Sequence, residues 1–406
     1  MGSVPDVSPI GRSSAWQGHH HRSGGHVATG LLVATFLVVV LVVAACSGAS
    51  ATASPIASPT ATPSTSPSPS PTPTSAPTAS PTPTPGFTPT GSMTVARGAA
   101  TATLLSDGRV LVAGGRSVQG YDNASAELFD PTTGTFSPTG SMTIVRAFHT
   151  ATLLSDGRVL IAGSGSADLY DATTGTFKAT GRMVVQRSSS SATLLKDGRV
   201  LIVGGSGVQP FISSAEIYDP KSGKFSATGS MSAGRRSPTA TLLSDGRVLI
   251  AGGTSGSSTL VSAELYDPTT GKFSPVSSKA PYGLAAAAML SDGRVLVVGL
   301  GTAGLYDPIS GSFGATATFA RGLGSVGAVA LPDGQAVVVS GTSAQLYDPR
   351  SGTFSSLGTA VSAGPFEFTT TLLHDGRILV AGGETDSMVG TTLKLVFTNS
   401  AEILQP

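Results

Sequence analysis

Short apolar runs recur along most of the chain, and turn residues separate them. In one unit, "FHTATLL" leads through "SDG" into "RVLIAG", and "ADLYD" then leads through "TTG" into "TFKATG". Runs rich in Val, Ile, Thr, Tyr and Phe between such signals predict short β-strands joined by tight turns. The Asp-Gly pairs predict two-residue type I′ hairpins, because both central positions of that turn need positive φ. Each unit therefore predicts four antiparallel strands.

The unit is repeated along the chain. Its Asp-Gly marker occurs seven times at intervals of 41 to 49 residues, beginning at Asp107, Asp156, Asp197, Asp245, Asp292, Asp333 and Asp375. Four strands in each repeat of about 40–50 residues are typical of the blades of a β-propeller.

The two ends of the repeat region predict how the ring closes. The fourth-strand phenylalanine occurs six times within the repeats, at Phe136, Phe177, Phe225, Phe273, Phe313 and Phe354. The last unit ends in a third strand, "SAEILQP" (400–406), while a spare fourth strand, "GFTPTGSM", precedes the first unit (86–93). Pairing the two would remove the exposed edges of an open ring. We therefore predict an all-β fold, a seven-bladed propeller of four antiparallel strands per blade, closed by the N-terminal outer strand.

Two motifs recur in these units. One is a di-glycine after the second strand, at Gly114-Gly115, Gly204-Gly205, Gly252-Gly253 and Gly382-Gly383. The other is Tyr-Asp-Pro after the third strand, at 218–220, 266–268, 306–308 and 347–349. With these motifs the units resemble kelch repeats, such as those of the galactose oxidase propeller. Phenylalanine replaces the family's outer-strand tryptophan, and blades five and six lack the di-glycine. The resemblance implies a binding platform or, less often, an enzyme.

The segment before the propeller predicts export and a membrane tether. Val27–Ala45 is apolar and uncharged and follows Arg12 and Arg22, as in an export signal, and it is long enough to span a bilayer. "VAAC", ending at Cys46, resembles the lipobox of bacterial lipoproteins, which implies cleavage before Cys46 and lipidation of its sulfur. The alternative is an uncleaved anchor helix. Either arrangement places the rest of the chain in the cell envelope, outside the cytoplasmic membrane.

Composition adds a linker and excludes some functions. Residues 46–86 are rich in Pro, Ser and Thr and predict a disordered linker between the signal or membrane segment (1–45) and the propeller (87–406). A formal net charge of +1 gives no general attraction for nucleic acid. The single cysteine excludes an intrachain disulfide and a multi-cysteine metal site.

Function is expected where the blades differ, on one face of the ring. Strand alternation places the connections from fourth to first strands and from second to third strands together on what we call the loop face, and the Asp-Gly and Thr-Gly turns on the opposite turn face. Ten residues before four of the Asp-Gly markers, the loop face carries arginines, namely Arg97, Arg146, Arg187 and Arg235. Arginine forks bind carboxylates and phosphates, so they predict an anion-binding rim. The alternative is that each hydrogen-bonds carbonyl groups of a neighbouring blade as part of the repeat pattern.

The loops between second and third strands also vary, from two residues in blades two, five and six to about 17 in blade seven. Long loops on a rigid scaffold are the usual place for recognition. They predict a groove contacted by four or five loop residues, namely Tyr121, Asp122, Phe211 and Glu384 or Asp386. His149 is expected to be a buried structural residue. The glutamates of the "SAEL"-type third strands are expected to pair with the arginines of the "DGR" turns.

The sequence therefore predicts a non-enzymatic, monomeric propeller, without cofactor or metal, that binds a protein, peptide or glycan ligand on its loop face. Cys46 lipid or the Val27–Ala45 segment would tether it. One alternative is a carbohydrate-active enzyme on the same propeller, which an acidic pair at the channel mouth would favour. The other is a structural cell-surface spacer, which a featureless loop face would favour.

Overall fold

A computed structural model describes residues 85–406, apart from 118–120, 281–285, 300, 317, 321–323, 361–363 and 390–391, and apart from the side chains of 386–394. The predicted export segment, Cys46 and nearly all of the linker lie outside the described residues. All regular elements of the described part are β-strands. That part contains no helix of the length and hydrophobicity needed to span a bilayer.

The first three blades follow a short leading strand, β1 (Gly86–Pro89). Blade one contains β2 (Thr101–Leu104), β3 (Val110–Ala113), β4 (Asn123–Asp130) and β5 (Thr135–Arg146). Blade two contains β6 (Thr150–Leu153), β7 (Val159–Gly163), β8 (Ser166–Asp171) and β9 (Thr176–Arg182). Blade three contains β10 (Ser191–Leu194), β11 (Val200–Val203), β12 (Ser214–Asp219) and β13 (Lys224–Ser230).

Blade four contains β14 (Thr239–Leu242), β15 (Val248–Ala251), a small hairpin of β16 (Thr254–Ser255) and β17 (Ser258–Thr259), then β18 (Ala263–Asp267) and β19 (Lys272–Pro275). Blade five contains β20 (Ala286–Met289), β21 (Val295–Gly299), β22 (Thr302–Asp307) and β23 (Ser312–Ala315). Blade six contains β24 (Val326–Ala330), β25 (Ala336–Ser340), β26 (Ser343–Asp348) and β27 (Thr353–Thr359). Blade seven contains β28 (Thr369–Leu372), β29 (Ile378–Ala381), the hairpin of β30 (Glu384–Val389) and β31 (Thr392–Phe397), and β32 (Ala401–Gln405).

These strands form a closed seven-bladed propeller. Each blade is a four-stranded antiparallel sheet, and the last has the order β1-β32-β29-β28. In that sheet Phe87 lies opposite Leu404, so the predicted closure by the N-terminal strand is confirmed. All seven sheets draw their strands from the compact unit Thr78–Pro406, which therefore contains the whole core of the propeller.

The core lies between neighbouring blades, as the apolar pattern predicts. Second strands such as Val200–Val203 are buried on both faces. At larger radius, Tyr218 stacks on Phe225 with ring centroids 4.8 Å apart, and its hydroxyl hydrogen-bonds Thr180 Oγ1 of the preceding blade at 2.9 Å. A close approach also explains a repeated glycine, because a Cβ on Gly229 would lie 2.2 Å from Gly271 O of the next blade.

The Asp-Gly turns differ from the predicted type I′ hairpins. In blade one, the amide of Leu105 donates to Arg109 O (2.8 Å) and that of Gly108 donates to Leu105 O (3.0 Å). Gly108 has positive φ, whereas Asp107 does not. The loop therefore has three residues and ends in a left-handed glycine. The type I′ prediction was wrong because Asp107 accepts a hydrogen bond from the Arg109 amide (3.0 Å) instead of taking up positive φ.

Candidate binding site at the channel mouth

The four arginines predicted to form an anion-binding rim are buried inside the blades. Each is 0–1% exposed. Each forms an ion pair with a carboxylate on the third strand of the blade that follows it in the chain, in the pairs Arg97–Glu127, Arg146–Asp168, Arg187–Glu216 and Arg235–Glu264, at 2.6–3.1 Å. Burial lowers the pKa of Arg97 and Arg187 from its ordinary value, and the paired glutamates oppose this effect.

The contacts of Arg187 show why these guanidinium groups offer nothing to a ligand. Its Nη1 donates to Gly204 O (2.9 Å) and Ser214 O (2.8 Å), and its Nη2 donates to Glu216 Oε1 (2.7 Å). The carboxylate of Glu216 also accepts a hydrogen bond from the amide of Val184 (2.6 Å), which holds the connection between β9 and β10 in place. The arc of Arg97, Arg146, Arg187 and Arg235 is therefore structural, as the alternative expected. The carbonyl groups that Arg187 bonds belong to its own repeat, however, and not to a neighbouring blade.

This pairing also corrects the expected partner of the third-strand glutamates. The "DGR" arginines instead pair with the aspartate of their own turn, as in Arg158–Asp156 at 2.6 Å. Their side chains remain partly exposed and lie on the turn face. The glutamates of the third strands were thus assigned to the wrong arginines.

Blades five and six lack both members of the buried pair. In the sequence, Tyr282 and Leu323 stand at the arginine position, and Gly304 and Gln345 stand at the carboxylate position. Gln345 accepts from the amide of Ala320 (3.0 Å) and donates to its carbonyl group (2.7 Å), so a neutral side chain fills the place of the pair. Blade seven keeps a carboxylate, Glu402, with Pro365 at the arginine position.

In each blade where it is described, the residue two positions after the arginine position lies at the mouth of the central channel on the loop face. Together these residues surround the mouth. We call the described members the mouth ring, and they are Ala99, Phe148, Ser189, Ser237, Ser325 and Glu367. Five of them are non-glycine residues with φ of 51–54°, namely Ala99, Phe148, Ser189, Ser237 and Glu367. Such a conformation is uncommon and needs support from its surroundings.

That support comes from hydrogen bonds between blades. The amide of Ala99 donates to Glu367 O (3.0 Å), that of Phe148 to Ala99 O (3.1 Å), and that of Ser189 to Phe148 O (2.7 Å). Ser237 continues the series by donating to Ser189 O (2.8 Å). The backbone at the five positions with positive φ is therefore alike, whereas their side chains differ.

The mouth ring encloses a cavity of about 530 Å³. Besides the ring itself, Ala100, His149, Arg236, Thr254, Val326 and Phe368 line it. Its volume lies within the range of about 300–1,000 Å³ that is typical of small-molecule sites.

Glu367 is the ionisable member of the mouth ring. A backbone bridge pairs Phe366 with Glu384 at the start of the blade-seven hairpin, which brings a second carboxyl group close to Glu367. The pKa of Glu367 is raised to about 7, mainly by burial and also by the charge of Glu384, and Arg116 and Arg236 oppose this rise. Its Oε2 is buried without a hydrogen-bond partner among the described residues. A carboxyl group so poised near neutral pH is typical of functional sites.

Two arginines that the sequence did not single out supply positive charge at the mouth. Arg116 lies over the ring of Phe148, with its Cζ 4.9 Å from the ring centroid, and its Nε is 4.0 Å from Asp122 Oδ1. Arg236 directly follows the buried Arg235 but is exposed. The positive charge at the mouth thus comes from Arg116 and Arg236, and not from the four predicted arginines.

His149 lines the cavity as a neutral, buried side chain, which confirms the expectation of burial. Its Nε2 lies 3.0 Å from Thr101 Oγ1. Burial lowers its pKa to about 3, and the nearby charge of Arg146 contributes. Among the described residues, no group of three or more His, Cys, Asp or Glu side chains is placed to hold a metal ion.

The residues predicted to contact a groove are placed separately. Glu384 is buried beside Glu367 at the mouth, and Asp122 lies near Arg116. Tyr121 is 70% exposed, and Phe211 is half-buried against the segment of Gly234. The side chain of Asp386 lies outside the described residues. The structure thus brings Glu384 to the mouth and leaves Tyr121 and Phe211 on the surrounding loops.

A larger cavity, of about 850 Å³, lies on the turn face between blades two and three. Its lining includes Arg158, Asp156, Arg199 and Asp197, whose charges already form two ion pairs. The same turn motif recurs around the ring, with related cavities beside Asp107 and Asp375. We favour the channel mouth because its charged groups are specific to single blades.

Sequence reasoning missed Glu367, Arg236, Arg116 and Phe148. A signal for two of them was present, because Glu367 and Phe148 occupy a repeat position where the other described blades have alanine or serine. The signal for the buried ion pairs was the joint loss of arginine and carboxylate in blades five and six.

Residues 187–232 and 235–280 match the Kelch motif. These two matches cover blades three and four. Among solved structures, the chain is similar to a fungal alcohol oxidase of the AA5 family, determined in complex with copper, with 15% identity and a TM-score of 0.48 over 79% of this chain and 76% of that chain. A likeness at this level says nothing about function. A comparison with curated protein sequences gives no match.

Proposed function

We propose that this Kelch propeller is a non-enzymatic binding module that captures a protein, peptide or glycan ligand at the mouth of its central channel. The observation that carries the proposal is the cavity of about 530 Å³ in which Arg236, Glu367 and Phe148 meet on an otherwise repeated backbone. A rigid ring that presents different side chains at equivalent positions suits recognition, because the scaffold pays little ordering entropy when a ligand binds.

The proposal includes a tether to the cell envelope, outside the cytoplasmic membrane. It is supported by the apolar segment Val27–Ala45, the lipobox-like sequence ending at Cys46 and the proline-rich linker that follows. Labelling cells with radioactive palmitate should mark the full-length protein, and Cys46→Ser should lose the label. An equal label on both proteins would contradict lipidation at Cys46, and membrane retention of an unchanged protein that takes up no label would favour the anchor helix.

The binding proposal is tested with a glycan and peptide array probed with residues 78–406, which contain every strand of the propeller. Two charge reversals serve as a matched pair, Arg236→Glu at the mouth and Lys221→Glu in the turn-face cavity. We expect Arg236→Glu to lose the ligands that the unchanged propeller retains, and Lys221→Glu to keep them. The opposite pattern would place the binding site on the turn face.

A second candidate function is glycoside hydrolysis, which one observation favours. Glu367 holds a proton near neutral pH next to the second carboxyl group of Glu384, and glycosidases use two carboxyl groups of which one is protonated. Incubation with the array glycans, followed by measurement of new reducing ends, separates this function from binding. Hydrolysis that disappears in Glu367→Gln would favour the enzyme, whereas retained, intact glycans favour the binding module.

A further inference from the structure

The channel mouth brings together an exposed guanidinium group and a half-buried carboxyl group, one oxygen of which is buried and has no partner among the described residues. Among the described residues, no ion-pair or hydrogen-bond partner holds the guanidinium of Arg236, and none holds Oε2 of Glu367. Both side chains line the same cavity. A buried polar atom without a partner is costly, and a ligand that supplies the partner recovers that cost.

The charges around Glu367 decide which ligand fits. Glu384 faces it from the blade-seven hairpin, Arg116 from the blade-one loop and Arg236 from blade four, and His149 is neutral. Near neutral pH a substantial fraction of Glu367 carries a proton, because its pKa is about 7. In that form the carboxyl group is a hydrogen-bond donor. Glu384 and Asp122 then balance Arg116 and Arg236, so the mouth has no net negative charge to repel an anion.

We propose that the mouth binds the carboxylate of a sugar acid, with Arg236 donating to it as the cation and Glu367 donating to it in the acid form. This inference rests on the proposed function and names its ligand class. A hydrogen bond from a carboxylic acid to a carboxylate is short and charge-assisted, and the arginine fork complements the same group.

The rest of the lining favours a sugar over a peptide terminus. Serine side chains occupy three positions of the mouth ring, at Ser189, Ser237 and Ser325, and Thr254 adds a further hydroxyl. These groups both donate and accept, as sugar hydroxyls require. The aromatic ring of Phe148 adds an apolar surface to this polar lining, and the combination suits a sugar ring. A peptide terminus would use the carboxylate site but not this ring of hydroxyls.

The proposal implies that binding depends on pH in one direction. Glu367 must hold a proton for the complex to form, so affinity is constant below its pKa of about 7 and falls as pH rises above it. For one required proton, the fall is about tenfold per pH unit. Deprotonated Glu367 also places a negative charge beside the ligand carboxylate, which acts in the same direction.

Isothermal titration calorimetry of residues 78–406 with tetragalacturonate, from pH 5.5 to 8.5, tests the proposal. We expect the dissociation constant to rise about tenfold between pH 7.5 and 8.5. Glu367→Gln, which keeps a donor without a titrating proton, should bind with no pH dependence over the same range. A neutral galactose tetrasaccharide should bind at least tenfold more weakly at pH 6. Thermal unfolding of Glu367→Gln controls for its folding.

Three results would overturn the proposal. They are equal binding of the acidic and neutral tetrasaccharides, an unchanged pH dependence in Glu367→Gln, and tighter binding of a peptide with a free carboxyl terminus than of tetragalacturonate. If tetragalacturonate does not bind but the array yields another ligand that Arg236→Glu abolishes, the sugar-acid inference fails and the proposed function stands. If no array ligand depends on Arg236, the proposed function fails as well.

Discussion

Removal of the Arg187 side chain should destabilise the propeller more than removal of any exposed arginine. Arg187 is 0% exposed and forms hydrogen bonds with Gly204 O, Ser214 O, Ser214 Oγ and Glu216. In Arg187→Ala, the carboxylate of Glu216 stays buried at 1% exposure without its cation. Breaking a buried pair from one side costs about 3–5 kcal/mol, because an uncompensated charge remains.

The assay is thermal unfolding of residues 78–406, with Arg236→Ala as the matched control. An unfolding entropy of about 2.1 cal/mol/K per residue gives roughly 0.7 kcal/mol/K for this domain, so we expect Arg187→Ala to lower Tm by about 4–7 °C. Arg236 is adjacent in sequence but exposed, and its removal should change stability by at most about 0.5 kcal/mol.

A double variant tests the reason for the loss. Arg187→Leu with Glu216→Gln copies blade six, where Leu323 and Gln345 stand at these positions. Because neither charge remains buried, the double variant should recover at least half of the stability that Arg187→Ala loses. The reasoning is refuted if Arg187→Ala unfolds at the same temperature as Arg236→Ala, or if the double variant is as unstable as the single one.

Three further predictions concern packing, pH and closure. Gly229→Ala should cost about 1–3 kcal/mol more than Gly314→Ala in chemical denaturation, because only the first would press a Cβ against a neighbouring blade and neither glycine has positive φ. His149 has a pKa of about 3 in the folded chain, so below about pH 6.5 only the unfolded chain binds a proton there. The free energy of unfolding therefore decreases as the pH is lowered. His149→Ser should remove up to about 1.4 kcal/mol per pH unit of this fall in unfolding curves between pH 6 and 4; parallel curves would contradict the assignment. Deletion of residues 78–90 should expose the edge of β32 and produce dimers or aggregates in size-exclusion chromatography, whereas a stable monomer would argue against closure by β1.

The propeller was predictable from the sequence because its signals are local and repeated. The number of Asp-Gly turns predicts the number of blades, and the spare strand at Phe87 predicts which strand closes the ring. The buried pairs were not predicted, since their partners lie 22–30 residues apart and join a loop to a strand. The state of Glu367 was also beyond the sequence. It depends on a backbone bridge between Phe366 and Glu384 and on the positive φ of the mouth ring, and neither has a local signature.

The measurement that tests the central claim most directly is tryptophan fluorescence at the mouth. Residues 78–406 contain no tryptophan, since the only one in the chain is Trp16, so Phe148→Trp places a single fluorophore in the mouth ring. Ile309→Trp provides the matched control on the turn face, where Ile309 is 96% exposed. Both variants are titrated with the array ligand that the propeller retains most strongly. The emission of Phe148→Trp should change with the same dissociation constant that calorimetry gives for this ligand, and the emission of Ile309→Trp should not change. A response from Ile309→Trp with none from Phe148→Trp would contradict a ligand site at the channel mouth.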